Sequence, residues 1–165
     1  MADDRIHTFQ SVFDCEARAV GDRFRSEISV TLHKPEHLTW ELATDEYGFQ
    51  GGDGTAPVPK AYFMAGLTSC LLTQLRVFAK KPRIDMREAK VACHAEWEAT
   101  ARGREPYVSM PKSVHMDIDF ASAAPLAERQ RLIDAAKGAC FIEAILREPM
   151  NITHRLNTEE GWIDA

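Results

Sequence analysis

The stretch Pro59 to Lys81, PKAYFMAGLTSCLLTQLRVFAKK, limits what this chain can fold into more than any other segment. Prolines at 57 and 59 suit the entry and first turn of a helix. Lys80, Lys81 and Arg83 place positive charge at its end, where it complements the helix dipole, and Pro82 stops it. A helix on a protein surface carries one apolar stripe and one wet face. Between Ala61 and Leu72 this one is apolar or small all round, with Gly66, Thr68 and Ser69 permitting close approach of another backbone. The run is too short to cross a bilayer, which needs about 20 apolar residues. It must therefore be covered by protein on more than one side. A sheet covers one side; the preferred second cover is the same helix of another copy, in a homodimer. A monomer with its next helix as a lid is the alternative.

The rest of the chain supplies the sheet. In RFRSEISVTLH, Phe24, Ile28, Val30 and Leu32 alternate with Arg23, Arg25, Glu27 and Thr31, the pattern of a strand with one buried face. Phe13, Cys15 and Ala17 form a similar strand before it, and Leu38, Trp40 and Leu42 one after it. TDEYGFQGGDGTAPVP is loop by its glycines and prolines. Beyond the helix, KVACHAEWEATA and SVHMDIDF read as two strands, joined through RGREPYVSMPK as a hairpin loop. Two helices follow, separated at Gly138, and NITHRL reads as a last short strand. The order β-β-β-α-β-β-α-α-β predicts an α+β fold with antiparallel strands and helices packed on one side.

Composition removes several function classes. A length of 165 residues fits one domain, 1–165. A net charge of −5 with no Lys/Arg block argues against nucleic acid as a partner. The start, MADDRIHTFQ, lacks the apolar core of a secretory signal, so no membrane association and a cytoplasmic location are expected. Four cysteines at 15, 70, 93 and 140, with no Cys-x-x-Cys, make neither a disulfide framework nor a finger-type zinc site. His94, Glu96 and Glu98, and likewise His115, Asp117 and Asp119, share strand parities. They read as the solvated face of a half-buried sheet, so no metal is expected. GGDG precedes prolines rather than a phosphate-binding turn, and GLTSCLL lacks the Gly-x-Ser-x-Gly of a hydrolase elbow; no cofactor is implied.

The thiols are what remains. Cys93 and Cys15 lie on apolar strand parities and read as packing residues. Cys140 opens the short helix CFIEAIL, where free N–H groups and positive potential favour a thiolate. Cys70, in the apolar helix, is either a core filler or a nucleophile. Burial alone would raise its pKa, so reactivity would need a cation or a helix end nearby.

GGDGTAPVP, then a helix carrying AGLTSC, then AAKGAC 70 positions after the first thiol, together resemble the OsmC/Ohr family of osmotically induced and organic-hydroperoxide-resistance proteins. The likeness covers about residues 10 to 157. It implies an OsmC-like fold, with antiparallel sheets around a buried central helix in an intertwined homodimer. It also implies a thiol peroxidase that reduces organic hydroperoxides in the oxidative stress response. Cys70 would then be the peroxidatic thiol and Cys140 the resolving one, recycled by a dithiol reductant of lipoyl type. Active members hold an arginine beside the thiolate. Arg23 or Arg25 matches the place it takes in one branch; the place used in the other holds Phe49 and Gln50. Active members also carry a glutamate ten residues before the first cysteine, and here that position is Lys60. Phe141 stands where a proline usually follows the second cysteine. The alternative implied by Lys60 is a degenerate dimer of this fold that binds a small hydrophobic molecule without turnover.

Overall fold

A computed structural model describes residues 6–148 and 150–165. The backbone gathers into two compact units that meet in sequence at Phe63 and Met64.

The first unit holds a three-stranded antiparallel sheet, β1 (Val12–Ala19), β2 (Ser26–Lys34) and β3 (Leu38–Thr44), in the order β1-β2-β3. The register stacks the alternating apolar residues in rows. Phe13, Leu32 and Leu38 lie opposite one another, then Cys15, Val30 and Trp40, then Ala17, Ile28 and Leu42. The strands are those the alternation predicts. Their burial is not: Phe13, Leu38, Trp40 and Leu42 remain 55%, 44%, 45% and 37% exposed. Period-two patterning fixes which face is apolar but not what covers it. The loop after β3 carries a 3₁₀ turn at Gly48–Gln50 and closes on buried Asp45. Gly52 cannot be replaced there, because a Cβ would fall 1.7 Å from the Glu46 carbonyl oxygen.

Helix α1 (Pro59–Ala79) begins where the prolines place it and ends just before Lys80. Its Leu67, Leu71, Leu75 and Ala79 recur at i+4 and are 5% exposed or less. Within the second unit Leu71, Leu75 and Ala79 join a core made with Val91 and Phe120 of a long hairpin and with Leu132, Ala136 and Cys140. That hairpin is β4 (Arg87–Thr100) and β5 (Val108–Ala121). It is longer than the sequence reading, which assigned residues up to Lys112 to the loop. Pro111 is accommodated because the register shifts between Glu96 and Trp97, leaving Lys112 as a bulge beside it in β5.

Helix α2 (Leu126–Ala139) runs through Gly138 rather than breaking there. The break comes at Cys140, whose extended backbone (φ −72°, ψ 110°) ends α2 and starts α3 (Phe141–Arg147). A further correction falls at the end of the chain. The strand expected over Asn151–Leu156 begins at Arg155 as β6 (Arg155–Thr158) and is paired with an unforeseen β7 (Gly161–Asp164). Gly161, at φ 109°, makes the turn. The chain is thus α+β with antiparallel sheets. Among the described residues no helix is long and apolar enough to cross a membrane.

Candidate functional site

The two thiols singled out in the sequence are brought together. Cys70 lies on α1 one residue before Leu71, packed against the core that contains Cys140. Cys140 is fully buried. The two side chains are within hydrogen-bonding reach of each other. A close crossing makes this possible: with no side chain, Gly66 lets α1 approach the start of α3, and a Cβ there would sit 3.1 Å from Ile142 Cδ1. The hydroxyls nearby are spent on their own helix. Thr68 Oγ1 donates to the Met64 carbonyl at 2.8 Å, and Ser69 Oγ to that of Gly66 at 3.3 Å. Both thiols are free rather than disulfide-bonded.

Burial raises the pKa of the Cys140 thiol, and the neighbouring Cys70 adds to the rise. The N–H groups of Glu143 and Ile142, at the opening of α3, oppose it. The balance favours the neutral form of the Cys140 thiol. Cys93 is also raised, by burial alone, with no thiol or cation to make it reactive. A groove of 410 Å³ in the same unit is lined by Leu67 and Leu71 of α1, Val114 and Met116 of β5, Ile133 of α2 and Leu146 of α3, with Lys137 and Glu143 as its charged residues. Neither thiol lines it; Leu71 adjoins Cys70 in sequence, and the N–H of Glu143 reaches Cys140.

The first unit contains the other expected residues. Arg23 forms an ion pair with Asp53, and Arg25 Nη1 donates to Thr55 Oγ1 at 2.9 Å. Thr55 Oγ1 in turn donates to Asp45 Oδ2 at 2.7 Å, and its N–H reaches the same oxygen at 2.9 Å. These Thr55 bonds, backbone first, hold the Asp45 carboxyl below its usual range against the effect of burial. Asp45, Asp53 and Thr55 were missed in the sequence. The one available signal is an aspartate closing a strand before a Gly-rich loop, a place where carboxylates commonly tie down backbone N–H groups. Lys60 is exposed, and no ion pair engages it among the described residues. The acidic and histidine residues of β4 and β5 lie on the wet face. His94 Nε2 meets Glu96 Oε1 at 3.1 Å, but no group of three or more metal-ligating side chains gathers among the described residues.

Comparison with known proteins gives a consistent family. The family described as OsmC-like protein matches residues 52–155. An OsmC-like hydroperoxide resistance protein from Jannaschia sp. CCS1 is 39% identical, with a TM-score of 0.64 over 94% of this chain and 98% of that one. An organic hydroperoxide resistance protein OsmC from Legionella pneumophila shares the fold at 17% identity and a TM-score of 0.56, over 86% of this chain and 92% of that one. One from Vibrio cholerae, with captopril bound in one active site, does so at 17% and 0.52, over 92% and 93%. No curated protein matches the chain.

Proposed function

Because the chain belongs to the OsmC-like protein family, we propose that it is a thiol-dependent peroxidase that reduces organic hydroperoxides in an oxidative stress response. The observation that carries this reading is the meeting of Cys70 and Cys140, in a unit that also holds a largely apolar groove. The Cys70 thiolate attacks the outer peroxide oxygen. The O–O bond breaks, the alkoxide leaves and takes a proton as the alcohol, and Cys70 becomes a sulfenic acid. Cys140 attacks the sulfenic sulfur, its proton leaves with the hydroxyl as water, and a Cys70–Cys140 disulfide forms. A dithiol of lipoyl type then reduces that disulfide and is itself oxidised. The family resemblance assigns the guanidinium role to Arg23, whose ion-pair partner here is Asp53.

The working unit is a homodimer. The apolar rows of the first sheet leave Leu38, Trp40 and Leu42 exposed in register, a contiguous face of the kind that marks an interface. A second copy is the cover that the all-round apolar α1 also calls for. The oxidative chemistry fits a cytoplasmic enzyme, whose thiols are kept reduced between turnovers.

The test is single-turnover chemistry with cumene hydroperoxide. Wild type consumes one equivalent and joins Cys70 to Cys140. Cys140→Ser consumes one equivalent and leaves a dimedone-reactive sulfenic acid on Cys70. Cys70→Ser consumes none. Peptide mapping that finds both thiols free after stoichiometric peroxide refutes the reading. A second reading is favoured by Lys60, which is exposed with no carboxylate partner among the described residues. It is a dimer that binds a small hydrophobic molecule in the groove without turnover. Ligand-dependent stabilisation that survives in Cys70→Ser, with no peroxide consumed by wild type, selects it.

A further inference from the structure

The turn that follows α1 forms a second concavity whose residues take no part in the thiol site. It has a volume of 520 Å³. Its floor is aliphatic, made by Leu72, Ile84 and Met86, and its rim carries Arg76, Lys80 and Arg83. The acid among its lining residues is Glu88. No hydrogen bond or ion pair engages the three cations' side chains among the described residues. Three cations facing one acid make a positive basin in a chain of net charge −5.

The backbone adds an independent observation. Two non-glycine residues among those described have positive φ, Arg83 at 55° and Glu88 at 53°, and both line this concavity. Arg83 closes the helix end: its N–H reaches the Lys80 carbonyl at 3.2 Å, and the Ile84 N–H reaches that of Ala79 at 3.0 Å. Glycine normally fills such a left-handed position after a helix. A side-chain-bearing residue there is strained, and such strain gathers at binding sites. Cations that merely complement a helix dipole need no aliphatic floor and no strained backbone. The lining holds no aromatic ring on which a nucleobase would stack. A flexible alkyl chain fits the floor, and the cationic rim fits an anionic head.

We infer that this concavity is a binding site for an aliphatic carboxylate, its head held by Arg76, Lys80 and Arg83 and its tail lying on Leu72, Ile84 and Met86. The site is separate from the thiol chemistry and stands whether or not the protein turns over peroxide. Arg83 is its discriminating residue, since the strained position retains a guanidinium where glycine would be easier.

The experiment is calorimetric titration of the full-length reduced protein with sodium decanoate below its micelle concentration. One site per chain is expected, with affinity that falls as salt rises. Decanol, which has the tail without the charge, and acetate, which has the charge without the tail, should bind at least tenfold more weakly. Arg83→Gly removes the guanidinium while easing the backbone, so its melting temperature should hold or rise while decanoate affinity falls at least fivefold. Arg76→Gln with Lys80→Gln, made together, should weaken decanoate similarly and leave its helix content unchanged. Equal binding of decanol, or undiminished decanoate affinity in both variants, overturns the assignment. So does finding by sedimentation that the concavity is closed by another copy of the chain, with decanoate excluded.

Discussion

Oxidation should leave a measurable mark on stability. Joining Cys70 to Cys140 closes a loop of 70 residues in the unfolded chain. Loop-closure entropy of that size is worth about 4 kcal/mol at 25 °C. A bridge delivers that much only where the native structure closes it without distortion. Here the side chains already meet in the reduced protein and Cys140 is fully buried. Most of the gain should therefore survive, within the usual range of about 2–4 kcal/mol. With a urea slope of about 2–3 kcal/mol/M, the unfolding midpoint should rise by about 1–2 M. The assay is urea unfolding, followed by circular dichroism at one fixed protein concentration, of protein oxidised by one equivalent of cumene hydroperoxide and of the same sample reduced with dithiothreitol. Mass spectrometry of non-reduced peptides confirms the bridge. Cys140→Ser should show no shift. A Cys70–Cys140 bridge that leaves the midpoint unchanged or lowers it would refute the reasoning, because the thiols would then have to be pulled together against the native packing.

Other outcomes follow from the same geometry. Leu71→Ala removes a fully buried side chain from the core around Cys140 and should cost about 2–5 kcal/mol in chemical denaturation. It should also lower the rate of peroxide consumption, since Leu71 adjoins the thiol. Asp45 has a depressed folded-state pKa, so its contribution to stability is present above the ordinary carboxyl value of about 3.9 and is lost as pH falls through the lower folded value. Asp45→Asn should be less stable than wild type at pH 6, with the gap narrowing towards pH 2; a gap independent of pH would contradict this. Gly52→Ala drives a Cβ into the Glu46 carbonyl and should yield insoluble or markedly destabilised protein, whereas Gly48→Ala, which meets nothing within 4 Å, should lose far less. Alkylation of the reduced protein should label Cys140 last as pH rises, because its thiol is both buried and raised; labelling of Cys140 ahead of exposed Cys15 would contradict the burial.

The strands and the long helix were legible because they rest on local rules. Alternation at Phe13, Cys15 and Ala17, or at Leu38, Trp40 and Leu42, follows from the two-residue period of a strand, and the ends of α1 follow from proline and terminal charge. The errors came where a tertiary term outweighed a local one. Gly138 was read as a break, but nothing at that position needs a left-handed backbone, and α2 runs on until the buried Cys140 turns the chain. Pro111 was read as loop, yet a bulge at the adjacent Lys112 keeps it in β5. The final hairpin is four residues a side, too short for periodicity to register.

By itself, then, the sequence determined the α+β class, the apolar central helix and the two cysteines that share a family pattern. A helix or strand is specified by neighbours a few positions away, and those are written consecutively. The tertiary structure alone decided that Cys70 and Cys140 meet and that Asp45 anchors a loop through Thr55. It alone gathered the left-handed Arg83 and Glu88 around one aliphatic basin. Contact between residues far apart in the chain depends on how whole elements cross, and near the thiol site Gly66 leaves room for Ile142 Cδ1, which would lie 3.1 Å from a Cβ there.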